Sequence, residues 1–127
     1  MIQNTGDMEE TQLFSYDSLL NYVKGNTAFA DRILMLIIEE LPKDILIIEE
    51  AMECREWQRV ALIVHKIKPN IQMCSKHRFL FDLILNLEKD CRENTQLDTI
   101  PARIKELKAH SQQLVAAIKE SIISKIT

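Results

Sequence analysis

His65, Lys68 and Gln72 follow one another at steps of three and four residues. On a helix that spacing places an imidazole, an ammonium and an amide along one face. A neutral imidazole nitrogen is a competent nucleophile near neutral pH, because a free ring loses its proton at about pH 6.5. A phosphoryl group taken up there would form an anionic phosphoramidate. Lys68 would neutralise part of that charge, and the Gln72 amide would donate a hydrogen bond to it. Coulomb attraction at about 4 Å runs from about 1 kcal/mol in water to about 4 kcal/mol at an effective dielectric near 20. On these grounds Lys68 is expected to tune such a reaction and His65 to be indispensable to it.

The helix must turn His65 outward for this to work. At about 100° per residue, Trp57, Val60, Val64, Ile67 and Ile71 centre on one direction, and His65 lies about 120° away from it. Pro69 and Gln72 fall within about 40° of His65, and Lys68 falls about 60° towards the core flank. Leu62 and Met73 lie on the side away from the core, where apolar residues beside a polar site form a docking patch. Between Arg55 and Arg78 the chain holds six basic residues and one acidic residue, although its net charge is −3. A partner with an acidic pocket would be steered to that segment. Leu62, Lys66, Pro69 and Met73 are therefore the expected docking residues.

The rest of the chain reads as helices joined by short links. Its 127 residues include only two glycines and three prolines, with abundant Leu, Ile, Glu and Lys. Residues 1–10 are polar and unpatterned and read as a flexible lead-in; residues 11–127 read as one helical domain. A short helix is expected from Leu13 to Val23, ending at Gly25. Asn26 or Thr27 would cap a long helix over most of residues 27–54. Phe29, Ile33, Leu36, Ile37, Leu41, Ile45, Ile48 and Met52 would form its inner face, and Pro42 should kink or split it. A turn at Arg55-Glu56 leads to the His65 helix. Ser75 is expected to cap the next helix, with Phe79, Leu80, Leu83, Ile84, Leu87 and Cys91 inward. Thr99 would cap the last helix, with Pro101 in its first turn. The predicted fold is all-α: an antiparallel four-helix bundle with an additional short N-terminal helix.

Several function classes drop away. The acidic balance argues against nucleic acid as a partner. The apolar runs are short and interrupted by charge, so no membrane span is expected. The opening MIQNTGDMEE lacks a basic segment followed by an apolar one, so a cytoplasmic location is expected. Cys54, Cys74 and Cys91 have no metal-like pairing and read as free thiols. His77 and His110 lack the array that follows His65, and no chemistry is read from them.

The segment Val64-His65-Lys66-Ile67-Lys68-Pro69-Asn70-Ile71-Gln72-Met73 resembles the signature of histidine-containing phosphotransfer (HPt) domains, in which a helix carries His-x-x-Lys followed by small residues. Its His-Lys-x-Lys-Pro form is similar to that seen in some bacterial groups. A Tyr-x-x-Leu run, Gly25-Asn26 and Phe29 opening a long helix, Trp57 before the His helix and Leu87-Glu88 closing the fourth helix extend the resemblance over residues 13–120. The chain departs from the family pattern in three places. Ser75 stands where a glycine is usual, Asn70 where a serine is common, and Pro69 removes an N–H that would bond the His65 carbonyl.

The resemblance implies a phosphocarrier, not an enzyme with its own ATP site. His65 would accept a phosphoryl group from a receiver-domain aspartate and pass it to another receiver, with Lys68 stabilising the phosphoryl. The implied partners are receiver domains of a hybrid histidine kinase and of a response regulator. No cofactor is expected beyond Mg²⁺ held by the partner receiver, and a monomer is expected. The rival readings are a receiver-binding helical adaptor that carries no phosphate, and a helical enzyme or metal protein. The second finds no Glu-x-x-His pair or Cys/His cluster to support it.

Overall fold

The computed structural model describes residues 13–126; the expected lead-in, residues 1–10, lies outside them. The elements are α1 (Tyr16–Tyr22), α2 (Thr27–Glu53), α3 (Trp57–Cys74), α4 (Arg78–Glu93), a single 3₁₀ turn (Leu97–Thr99) and α5 (Ile100–Ile126). No strand occurs among the described residues. The four longer helices form a closed antiparallel ring. In it α3 packs between α2 and α4, and α5 closes the other side between the same two. α1 lies against α2 and α3, and its first backbone N–H before the helix, at Ser15, donates to the Cys74 carbonyl at 2.7 Å. This is the four-helix bundle with a short leading helix that the periodicity implies.

Local chemistry sets the joints. The Ser15 hydroxyl accepts the Ser18 N–H, and the Asn26 side chain accepts the Phe29 N–H, so α1 and α2 start on side-chain caps. α2 ends on Arg55 in the left-handed region, with φ 57°. The Glu56 N–H reaches back to the Ala51 carbonyl and the Arg55 N–H to Met52, a Schellman arrangement built without glycine. α3 begins at Glu56 with no side-chain cap.

The core runs along the inner stripes: Ile37, Ile48, Val64, Ile67, Ile71, Leu80, Ile84, Leu87, Ile104, Leu107 and Leu114 are all essentially inaccessible. Each buried Leu or Ile contributes about 1.5–3 kcal/mol relative to an exposed one.

Several expectations need correction. α1 starts at Tyr16 rather than Leu13, because Ser15 caps it. Phe29, Leu36 and Phe79, expected inward, are about half exposed; they flank the core stripe rather than lie on it. Pro42 does not split α2, which runs through it for 27 residues, about 40 Å. Pro42 lies on the exposed side, where water can serve the carbonyl that it leaves without a helical donor. α3 likewise runs through Pro69. Ser75 ends α3 and does not cap α4. The cap is His77, whose Nδ1 accepts the Leu80 N–H at 3.0 Å, while the Ser75 hydroxyl accepts the His77 N–H. Thr99 closes the 3₁₀ turn ahead of α5, its hydroxyl donating to the Gln96 carbonyl.

Candidate functional site

His65 stands on the outer side of α3, with 57% of its side chain exposed. Val64 and Ile67, its neighbours on the inner stripe, are buried and fix that orientation. The ring is held from α4: Nδ1 lies 2.8 Å from Glu88 Oε2. Glu88 is itself buried, at the edge of the inner stripe between Ile84 and Cys91. The same carboxylate receives Lys68 Nζ on Oε1 at 3.1 Å, and Arg92 Nε and a second guanidinium nitrogen on Oε2 at 3.1 and 2.9 Å. Burial pushes the Glu88 carboxyl up. The hydrogen bonds from Arg92, Lys68 and His65 together outweigh burial and hold it below the usual carboxylate range.

An ionised Glu88 can only accept a hydrogen bond, so the proton of a neutral His65 ring sits on Nδ1. Nε2 then keeps its lone pair and faces outward, which is the tautomer that a nucleophilic imidazole needs. Two cationic side chains sit beside the same carboxylate. Lys68 is 23% exposed and Arg92 is half exposed, so both cations beside the ring's anchor are open to solvent.

The other expected residues divide. Leu62 is 61% exposed, one turn before His65, and Pro69 is exposed one turn after it. Lys66 points to the opposite flank and pairs with Asp44 of α2 at 2.9 Å. Asp44 is buried, and its carboxylate raises the Lys66 pKa despite the opposing effect of desolvation. Met73, expected beside Leu62, is partly buried against the core. Gln72 is exposed, seven residues beyond His65 and so about 10 Å further along the helix; it lines a shallow cleft with Ser75, Lys76, His77, Arg78, Phe81 and Asp82.

The roles of Glu88 and Arg92 escaped the spacing argument, which followed α3 alone. The available signal was a carboxylate at an inward position of α4, four residues after Ile84 and three before Cys91. A charged residue on an apolar stripe needs a partner on the facing helix. A cleft of about 370 Å³ between α2 and α5, lined by Leu41, Pro42, Ile45 and Leu46 among others, holds none of these residues. No cluster of three His, Cys, Asp or Glu side chains able to hold a metal occurs among the described residues. No helix among them is long and apolar enough to cross a membrane.

Comparison with solved structures supplies the architectural counterpart. The chain is similar to the HPt domain of the Hpt sensor hybrid histidine kinase from Shewanella, with a TM-score of 0.77 over 88% of this chain and 95% of that one. The fold is that of an HPt domain. Sequence identity to it is 17%, so the likeness lies in the bundle. No protein-family profile and no curated protein sequence matches the chain.

Proposed function

We propose that this HPt-fold protein carries a phosphoryl group on His65 in a multistep two-component phosphorelay, without an ATP site of its own. The observation that carries this reading is the exposed His65 ring anchored through Nδ1 by the buried Glu88 carboxylate. The His65-Lys66-x-Lys68-Pro69 run and the shared fold support it.

In the step proposed, the Nε2 lone pair attacks the phosphorus of a receiver's aspartyl phosphate. The N–P bond forms, the P–O bond to the aspartyl carbonyl breaks, and the aspartate leaves as a carboxylate. The ring retains its Nδ1 proton and becomes cationic. Glu88 stabilises that cation, as a buried carboxylate does for a catalytic imidazolium. Lys68 and Arg92 offset the phosphoryl charge, with Gln72 and its amide further along the same face. The return step reverses these bonds onto a second receiver.

Mg²⁺ is assigned to the receiver's aspartate site. Leu62 and Pro69, with Lys66 and Met73 at their flank, form the proposed seat for the receiver. Leu85 of α4, exposed one turn before Glu88, extends its apolar part. The protein is proposed to act as a monomer in the cytoplasm, away from nucleic acid and membrane.

Incubation with a receiver phosphorylated on its aspartate provides the test. Label should appear on the wild type and be acid-labile, and His65→Gln should take up none. An unlabelled wild type, or equal label on His65→Gln, removes the reading. Receiver binding that survives His65→Gln with no transfer in either protein would replace it with the adaptor role.

A further inference from the structure

The α3–α4 junction and the facing side of α5 bring together a pair of imidazoles, His77 and His110, that the phosphoryl chemistry does not use. His77 caps α4 with Nδ1, which accepts the Leu80 N–H. Its ring lies 5.1 Å, centroid to centroid, from that of His110 on α5, and the half-exposed Phe79 ring touches both, at 6.2 and 5.4 Å. His110 Nδ1 is buried with no hydrogen-bond partner.

A histidine cap differs from Ser, Asp or Asn in one respect: it works only while Nδ1 is unprotonated. In the capping tautomer Nε2 already carries the proton, so the next proton must enter at Nδ1. Nδ1 then becomes a donor facing the Leu80 N–H donor, and a cation faces the positive end of α4. The charged and titratable groups beside His77 include His110 on α5, Lys76 at the junction, and Arg78 and Asp82 on α4, and the neutral Gln72 of α3 lines the same cleft.

We propose that the His77–His110 pair is a proton-operated latch: protonation of His77 uncaps α4 and opens its first turn, altering the Gln72 end of the His65 face. That this face seats a receiver rests on the phosphocarrier reading above; the uncapping itself does not. Burial first, and then the charge His110 would carry, lower the His77 pKa, against a smaller upward pull from a backbone hydrogen bond. The latch is therefore closed at neutral pH and opens on acidification. The Glu88 anchor, three turns along α4, stays in place.

Amide hydrogen exchange, corrected for its intrinsic pH dependence, reads the latch on the intact chain. Protection at Leu80 and Phe81 should fall about five- to tenfold between pH 7.5 and 5.5, the size expected for a lost cap, while Leu87 and Glu88 keep theirs. His77→Asn, a cap that does not titrate, should hold Leu80 protection flat over the same range. A flat wild type, or an equal fall in His77→Asn, overturns the proposal. Transfer from a phosphorylated receiver, followed over the same pH range, should decline more steeply in the wild type than in His77→Asn; parallel declines overturn the link to docking. Absence of transfer at pH 7.5 in both proteins would sink the phosphocarrier reading and leave the exchange result to decide the latch.

Discussion

Glu88 Oε2 lies 2.8 Å from His65 Nδ1, so a buried carboxylate on α4 sets the proton of an exposed ring on α3. In the proposed reaction Nε2 is the attacking side of the ring because Nδ1 is held by Glu88. In the proposed transfer the ring would become cationic on phosphorylation, so the charge of Glu88 would matter beyond its shape.

Glu88→Gln keeps an oxygen for Nδ1 but removes the charge. Phosphoryl uptake by His65 should fall about tenfold, the difference between a charged and a neutral hydrogen bond. Far-ultraviolet circular dichroism should be unchanged. Uptake within twofold of wild type would show that the carboxylate only positions the ring.

Lys66 and Lys68 should separate by readout. Lys68→Ala leaves Glu88 with Arg92 and His65, so transfer should drop about tenfold with little loss of stability. Lys66→Ala leaves Asp44 buried without its cation. Because Lys66 is itself half exposed, the cost should be about 1–2 kcal/mol, below that of a fully buried pair. Urea unfolding and transfer rates, measured on both variants, check the division.

Acid should weaken the Glu88 cluster. The Glu88 carboxyl lies lower in the folded chain than in the unfolded one. Its stabilisation is therefore complete above the unfolded value near pH 4.3 and is lost as pH falls through the folded value. The wild-type melting temperature should drop in that window more than that of Glu88→Gln. Equal slopes would contradict the shift.

Arg55 occupies a left-handed position that glycine adopts without a steric penalty. Arg55→Gly should stabilise the fold by about 1 kcal/mol, raising the melting temperature by about 3–5 °C. Calorimetry decides it, and a lower melting temperature would mean that the Arg55 side chain contributes more than the backbone loses.

Burial pushes the Cys74 thiol up to about 12 and the Cys91 thiol up to about 11, while Cys54 is exposed. Iodoacetamide at pH 7.5 should alkylate Cys54 alone among the three in the folded protein, because the thiolate is the reacting form. Peptide mapping showing an adduct on Cys74 or Cys91 without unfolding would contradict this.

The bundle was legible because its inner stripes are strongly periodic; the stripe of α3 alone placed His65 outward. What failed was local. Ser75 looks like a cap by residue type, yet the chain turns two residues later and a histidine takes the role, which type preference does not favour. Phe29 and Phe79 are apolar but stand beside the stripe, and hydrophobicity alone does not separate an edge from a centre. Glu88 was readable as a member of α4 but not as the His65 anchor, because contacts between helices depend on their register, which no single helix contains.

Lys66 and Lys68 straddle Ile67 and pull towards different neighbours, one to Asp44 on α2 and the other to Glu88 on α4. Seen down the axis of α3, they lie to either side of His65, at about +100° and −60°. Aliphatic packing lets a helix roll by small angles at little cost. Two ion pairs pulling in opposite senses act as guy ropes against that roll, so the bearing of the His65 ring is fixed from both sides.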